Sequence, residues 1–272
     1  MEKKEHNTGK AKRIYEKYKD KLPKMVYGEN NSIKTEISKG ENCEDVLLCW
    51  YDGIQICIDH MDDTARLFSV DEEGQLPFTG LEYFLSHGGK LKTVVDIGAH
   101  VGTFTLSALI RGARKVYAYE PNPRTLRTLE HNISANGYWG DVFISNAGIL
   151  GISSEVGGSA CYSYREGATG QGSFMVKPKA KANGFNQLVA PIVSFFEEMP
   201  KVGEVSYLKM DIEGGEYSIF HKENLEALVV AFKGIECLEI EVHSSYGQPK
   251  EIYEILGLIG LKPEFNGLIW RV

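Results

Sequence analysis

From Lys92 onward, apolar β-rich runs alternate with helical stretches, and no other feature narrows the fold as much. The runs are TVVDI (93–97), KVYAYE (115–120), DVFISNA (141–147), VSYLKMD (205–211) and CLEIEVH (237–243). Helical segments fit between them at 102–111, 123–135 and 214–228. Parallel strands need long crossovers, and helices of this length supply them, so the pattern predicts an α/β fold with a doubly wound, mostly parallel sheet. Segment 123–135 carries its own start signal, Asn122 as N-cap and Pro123 at the first helical position, and Gly137 follows its end. Near the C-terminus Asn266-Gly267 favours the positive φ angles of a tight hairpin, so the sheet should finish with antiparallel strands.

The chain upstream has a different texture. Residues 9–21 read as a helix ended by Pro23, and VLLCWY-DG-IQICID reads as a hairpin around Asp52-Gly53. A short helix is expected at 80–87. These signals divide the chain into a helix-and-hairpin appendage over 1–75 and a main domain over 76–272. Residues 151–192 break the alternation with many Gly and Ser and no long apolar period, and are expected to form an excursion or irregular hairpin over the active site.

Charge and composition exclude several classes. The net charge is −7, yet residues 1–24 hold nine Lys/Arg against four Asp/Glu, leaving 21 against 33 in the rest. An acidic body is a poor match for nucleic acid, whose binding rests on neutralising phosphates. No apolar run reaches the ~20 residues of a membrane helix, and the charged start has no apolar stretch after it. None of the five cysteines stands in a C-x-x-C pair, so free thiols in a reducing cytoplasm are expected rather than a zinc site or disulfides.

Four motifs carry chemistry. VVDIGAHVGTFT (94–105) runs from a strand through glycines into a helix, a turn that brings backbone close to a ligand. A dinucleotide fingerprint would need glycine at 98, 100 and 103; these positions hold Gly98, His100 and Thr103, which excludes a nicotinamide dehydrogenase. Asp96 ends that strand, where an acid suits a cationic ligand. In YAYEPNP (117–123), Glu120 ends the second strand, where an acid accepts two ribose hydroxyls. LKMDIEGGEYSIF (208–220) places Asp211 at the switch point of the sheet, followed by Glu213 and Glu216. CLEIEVHSS (237–245) reads as a strand with Cys237, Glu239, Glu241 and His243 on one face and the last two near Asp211.

DIGAHVG, YEPNP, the Asn146-Ala147 pair of SNAG and the K-x-D-x-E-G-x-E pattern of LKMDIEGGE occur in order over roughly residues 75–272. Together they resemble the FkbM family of S-adenosylmethionine-dependent methyltransferases, to which the last pattern is specific. The resemblance implies a Rossmann-like class I methyltransferase fold, a seven-stranded sheet with its last strand antiparallel. It implies cofactor contacts from Asp96, Gly98, Ala99, His100, Gly102, Glu120, Pro121, Asn122, Asn146 and Ala147, with Asp211 beside the methyl group. His100 departs from the pattern, which more often has asparagine there.

The expected activity is methyl transfer from S-adenosylmethionine to a hydroxyl of a sugar, glycan or secondary metabolite. Asp211, Glu213, Glu241 and His243 are the candidates to take the acceptor's proton. A divalent cation, Mg or Mn, on the oxygen-rich cluster is a less favoured mechanism. A non-catalytic S-adenosylmethionine-binding protein, and transfer to nitrogen or to RNA, stay open as alternatives. No nucleic-acid or membrane partner is expected, and the motifs do not fix an oligomeric state.

Overall fold

The computed structural model describes the strand backbones 35–39, 45–51 and 54–59, and residues 78–152, 158–165, 168–175, 185–265 and 269–271. The chain divides into two units, Met1–Phe78 and Thr79–Val272. In the first, β1 (Thr35–Lys39), β2 (Asp45–Tyr51) and β3 (Ile54–Asp59) form an antiparallel sheet in that order. Tyr51 pairs with Ile54, so β2 and β3 make a hairpin. Strand β1 was not anticipated. The Asp52-Gly53 turn and the helix expected at 9–21 lie outside the described residues.

The second unit opens with helix α1 (Thr79–Ser86) and is built on a seven-stranded sheet. Its central strands are β4 (Thr93–Ile97), β5 (Lys115–Tyr119) and β6 (Val142–Ser145), joined by helices α2 (Thr103–Ile110) and α3 (Pro123–Ala135). The chain then returns to the other side of β4 with β11 (Tyr207–Met210) and β12 (Cys237–Ile240). These five strands are parallel in the order β12-β11-β4-β5-β6. After helix α7 (Pro249–Leu258), β13 (Lys262–Glu264) and β14 (Ile269–Arg271) pair antiparallel, and β14 docks antiparallel on β12. This is the expected doubly wound, mostly parallel sheet; Asn266-Gly267 lie outside the described residues.

The central strands β4, β11 and β12 are short and buried on both faces, as the inside of a parallel sheet requires, while the edge strand β6 is more open. On β11, Leu208 and Met210 join a core with Val95, Ile97, Leu238 and Ile240 under helices α4 (Phe195–Val202), α6 (Leu225–Phe232) and α7. Tyr207 points the other way, its ring centroid 5.1 Å from Phe84 of α1 and 5.9 Å from Phe104 of α2. Asn122 caps α3 by accepting from Arg124 N at 3.1 Å, ahead of Pro123.

Three expectations are corrected. The helix expected at 214–228 is broken into α5 (Glu216–Ile219), a 3-10 turn at Lys222–Asn224 and α6. The Asn224 amide donates to the carbonyls of Ser218 and Ile219, ending α5, and Phe220 drops into the core from a non-helical backbone (ψ 73). The strand expected at 237–243 ends at Ile240: after one more ladder bond, Glu241 N to Met210 O, the chain turns so that His243 reaches Glu216. The described residues of segment 151–192 form more than a single irregular hairpin. It holds β8 (Gly158–Arg165), β9 (Ala168–Ser173) and most of β10 (Asn186–Ser194), which with β7 (Gly148–Leu150) form a four-stranded sheet in the order β7-β10-β8-β9.

Candidate functional site

The sheet order reverses between β4 and β11, and a crevice at such a reversal is where open α/β sheets hold ligands. The two loops leaving these strands press together. Gly98 sits at φ +84, and a Cβ there would lie 1.9 Å from the Asp211 carbonyl oxygen. A side chain at 98 would force the two loops apart, so this glycine serves the approach of one loop to the other.

The first side of the crevice is organised by Glu120. Its side chain is 4 % exposed, and each carboxylate oxygen accepts one backbone N–H at 2.9 Å: Oε2 from His100, Oε1 from Asn122. Each oxygen keeps a further acceptor site. Burial pushes this carboxyl up to about 7, against the pull of the two N–H groups. Asn146 donates to the carbonyls of Glu120 and Pro121 at 3.0 and 3.2 Å, holding this loop from β6. Ala99, Pro121 and Ala147 are buried around it. His100 occupies a left-handed conformation (φ 52), which asparagine and histidine adopt more readily than most residues. Its Nε2 lies 2.8 Å from Thr169 Oγ1, so histidine gives this turn a bond to β9 of the inserted sheet.

Asp96 is fully buried. Its Oδ2 accepts from Thr105 at 2.7 Å, and Lys209 Nζ lies 3.9 Å from Oδ1. In this conformation it offers no surface to a ligand. Asp96, Lys209 and Glu239 are register partners on β4, β11 and β12. They form a carboxylate–ammonium–carboxylate row inside the sheet, in which Glu239 also accepts from Tyr207 at 2.5 Å. Burial works against the Lys209 charge, but Asp211, Asp96 and Glu239 outweigh it and hold its pKa above the usual lysine value.

The second side is an acid cluster around His243. Asp211 is 32 % exposed at its side chain; its Oδ2 lies 3.5 Å from Lys209 Nζ and its Oδ1 3.6 Å from His243 Nε2. Glu213 Oε2 lies 3.5 Å from the same Nε2, and the exposed Glu241 lies 3.8 Å from it. On the other side of the ring, Glu216 Oε1 accepts the His243 backbone N–H at 2.7 Å and sits 3.1 Å from Nδ1. Burial alone would lower the His243 pKa; the Glu216 bond and the charges of Glu213 and Asp211 raise it to about 9, so the ring is an imidazolium at neutral pH. Burial raises Glu213 to about 7, against the pull of His243. Asp211, Glu213 and His243 each bring a ligand atom, all within 4.8 Å of one another.

The structure thus brings Asp211, Glu213 and His243 together, with Glu241 at the rim. It places Glu120, His100, Asn122 and Asn146 across the crevice. Lys209 and Glu216 were not among the expected site residues, although both stand in the K-x-D-x-E-G-x-E pattern and Glu216 was read with the acids that follow Asp211. Thr169 and Ser173 of the inserted sheet were also missed. Ser173 Oγ donates to the Glu213 carbonyl at 2.6 Å, and no sequence motif marks either residue.

Among the described residues, Cys161 and Cys237 are free thiols, and no helix is long and apolar enough to cross a membrane. The model of the methyltransferase FkbM domain matches residues 96–264. A 45-residue stretch is 44 % identical to tRNA wybutosine-synthesizing protein 2 of Saccharomyces cerevisiae, covering 16 % of this chain and 10 % of that protein. The methyltransferase FkbM structure from Methylobacillus flagellatus aligns at 18 % identity and TM-score 0.39, covering 70 % of this chain and 46 % of the other. A SAM-dependent methyltransferase from Agrobacterium tumefaciens aligns at 11 % identity and TM-score 0.44, covering 84 % and 62 %. The chain spans under two thirds of the length of each of these three proteins.

Proposed function

The chain belongs to the FkbM methyltransferase family, and from that premise we propose that it moves a methyl group from S-adenosylmethionine to a hydroxyl oxygen of a sugar, glycan or secondary metabolite. The observation that carries the reading is the preorganised Glu120 carboxylate, fixed by two backbone N–H groups across the crevice from Asp211. Its two remaining acceptor sites fit the two hydroxyls of a ribose. The carboxylates of Asp211 and Glu213 fit a ligand that carries positive charge.

When bound, S-adenosylmethionine supplies an electrophilic methyl group with its own leaving group, so the protein has chiefly to align the acceptor and receive its proton. Asp211 is the proposed proton acceptor. It is reachable from the crevice, and its two flanking cations, Lys209 and the His243 imidazolium, fix its orientation. Glu213 is the second carboxylate within reach. His243 carries a proton already and acts as an orienting cation. As a metal ligand His243 would have to give that proton up, so a divalent cation on Asp211, Glu213 and His243 is the less favoured variant of this reading. The acidic body favours a small or glycan acceptor over nucleic acid.

Calorimetry with S-adenosylhomocysteine tests the cofactor half of this reading: micromolar binding is expected, and Glu120→Ala should weaken it by roughly 1.5–3 kcal/mol, the loss of hydrogen bonds to a charged group. Transfer of tritium from labelled S-adenosylmethionine into a panel of sugars and extracts tests the other half. No binding of S-adenosylhomocysteine by the wild-type protein would reject the whole reading. Binding without transfer to any acceptor would favour a sensing protein, and transfer into RNA alone would reject the acceptor class.

A further inference from the structure

Tyr162 stands on β8 of the inserted sheet and is 5 % exposed. Its ring is held by Phe174, edge-on at a centroid distance of 4.9 Å, and by Tyr164 stacked at 6.5 Å. Its hydroxyl makes no hydrogen bond to any described residue. The side chain is enclosed but its oxygen is left for a partner from outside the protein, as suits the polar tip of a mostly buried phenol.

The surroundings say where that hydroxyl is. It lies against Gly172 of β9, the strand whose Thr169 meets His100 beside Glu120 and whose Ser173 bonds the Glu213 carbonyl, and the negative charges acting on Tyr162 include those of Glu120, Glu213 and Asp211. Burial and these charges hold the phenol well above its ordinary pKa, so it keeps its proton and has it to donate to an acceptor there. The sheet that carries it is bonded to both sides: Thr169 to His100 on the Glu120 side, Ser173 to the Glu213 carbonyl on the other. Space for the hydroxyl is kept by Gly172, where a Cβ would lie 1.9 Å from the Tyr162 oxygen.

We propose that Tyr162 is a ligand-binding residue supplied by the inserted sheet, its hydroxyl donating to an oxygen on the nucleoside end of the bound cofactor beside Glu120. A ribose hydroxyl that donates its proton to Glu120 leaves its own oxygen as an acceptor, and a phenol with an unused proton complements it. The inserted sheet is then a wall of the cofactor site as well as a cover for the acceptor. The inference rests on the proposed S-adenosylmethionine reading.

The test is S-adenosylhomocysteine binding by calorimetry to the full chain, wild type against Tyr162→Phe, Gly172→Ala and the double variant. Phenylalanine keeps the ring packing and removes only the unpartnered hydroxyl, so the melting temperature should hold. Affinity should fall about 3- to 10-fold, the range for one neutral hydrogen bond. Gly172→Ala pushes the hydroxyl from its place without removing it and should weaken binding by a similar factor. In the double variant the two losses should not multiply, because both act through one oxygen. Wild-type binding with unchanged affinity in Tyr162→Phe overturns the proposal and leaves the cofactor reading standing. Losses that multiply in the double variant also overturn it, since Gly172 would then act by another route. Absence of wild-type binding overturns both.

Discussion

Replacing Lys209 by methionine should expose how the sheet interior is balanced. The ammonium is the cation of the Asp96–Lys209–Glu239 row and lies 3.9 Å from Asp96 and 3.5 Å from Asp211. Methionine keeps the length and apolar stem of the side chain, so the main loss is the charge. Removing one partner of a buried pair costs about 3–5 kcal/mol, because the other charge is left without compensation. Both distances here exceed direct hydrogen-bond range, which places the expectation near the lower end, about 3 kcal/mol at pH 8. The loss should depend on pH. Burial already raises the Asp96 pKa, and Lys209 is the largest influence lowering it. Without Lys209 the folded-state value rises further above the unfolded one. A carboxyl shifted upward binds more protons folded than unfolded, so the stability of the variant falls as pH rises. Urea unfolding followed by fluorescence at pH 5 and pH 8 should therefore show a smaller loss at pH 5, the side on which a carboxyl with a raised pKa is more fully protonated. A loss under about 1 kcal/mol at pH 8, or the same loss at both pH values, would refute the assignment of Lys209 as the compensating charge.

Two further outcomes are expected. Asp211→Asn should lower turnover ~10²-fold or more, measured on whichever acceptor takes up tritium, while changing S-adenosylhomocysteine affinity by under ~1 kcal/mol; normal turnover per folded molecule would mean that Asp211 only anchors Lys209 and His243. The raised His243 pKa predicts that stability, fully present below the ordinary histidine value of 6.5, is lost as pH rises through about 9; urea midpoints between pH 6 and 10 check this, and the decline should flatten in His243→Gln.

The sheet was legible because its information is local. Each central strand is a short apolar run bounded by glycine, proline or an acid, and each crossover helix has a length that only a parallel return requires. Where one residue had to be assigned by its distant neighbours, local reading failed. Phe220 and Leu228 both belong to the core and both fall in the single helix expected at 214–228. Phe220 reaches that core from the non-helical residue after α5 and Leu228 from α6, because Asn224 takes the Ser218 and Ile219 carbonyls and breaks the segment between them. The alternation of Cys237, Glu239, Glu241 and His243 likewise suggested one strand face. It is interrupted after Ile240, where the pull of Glu216 on the His243 backbone overrides strand continuation.

The site divides along the same line. Glu120 and Asp211 were legible because each terminates a strand beside a turn, and the sheet order alone brings such strand ends to one crevice. Their electrostatic setting was not legible, since it depends on register: a lysine in YLKM is a core anomaly until Asp96 and Glu239 are found as its partners on both neighbouring strands. The inserted sheet was the hardest part. Its strands β8 and β9 are rich in glycine, serine and threonine, so they lack the apolar period that marks a buried strand, and their pairing comes from a hairpin and from β10 farther along the chain. Yet Thr169 and Ser173 bond the two sides of the crevice. A polar sheet bonded to a polar site has no reason to carry an apolar pattern, and the segment that looked least like structure therefore supplies residues that tie both sides of the crevice together.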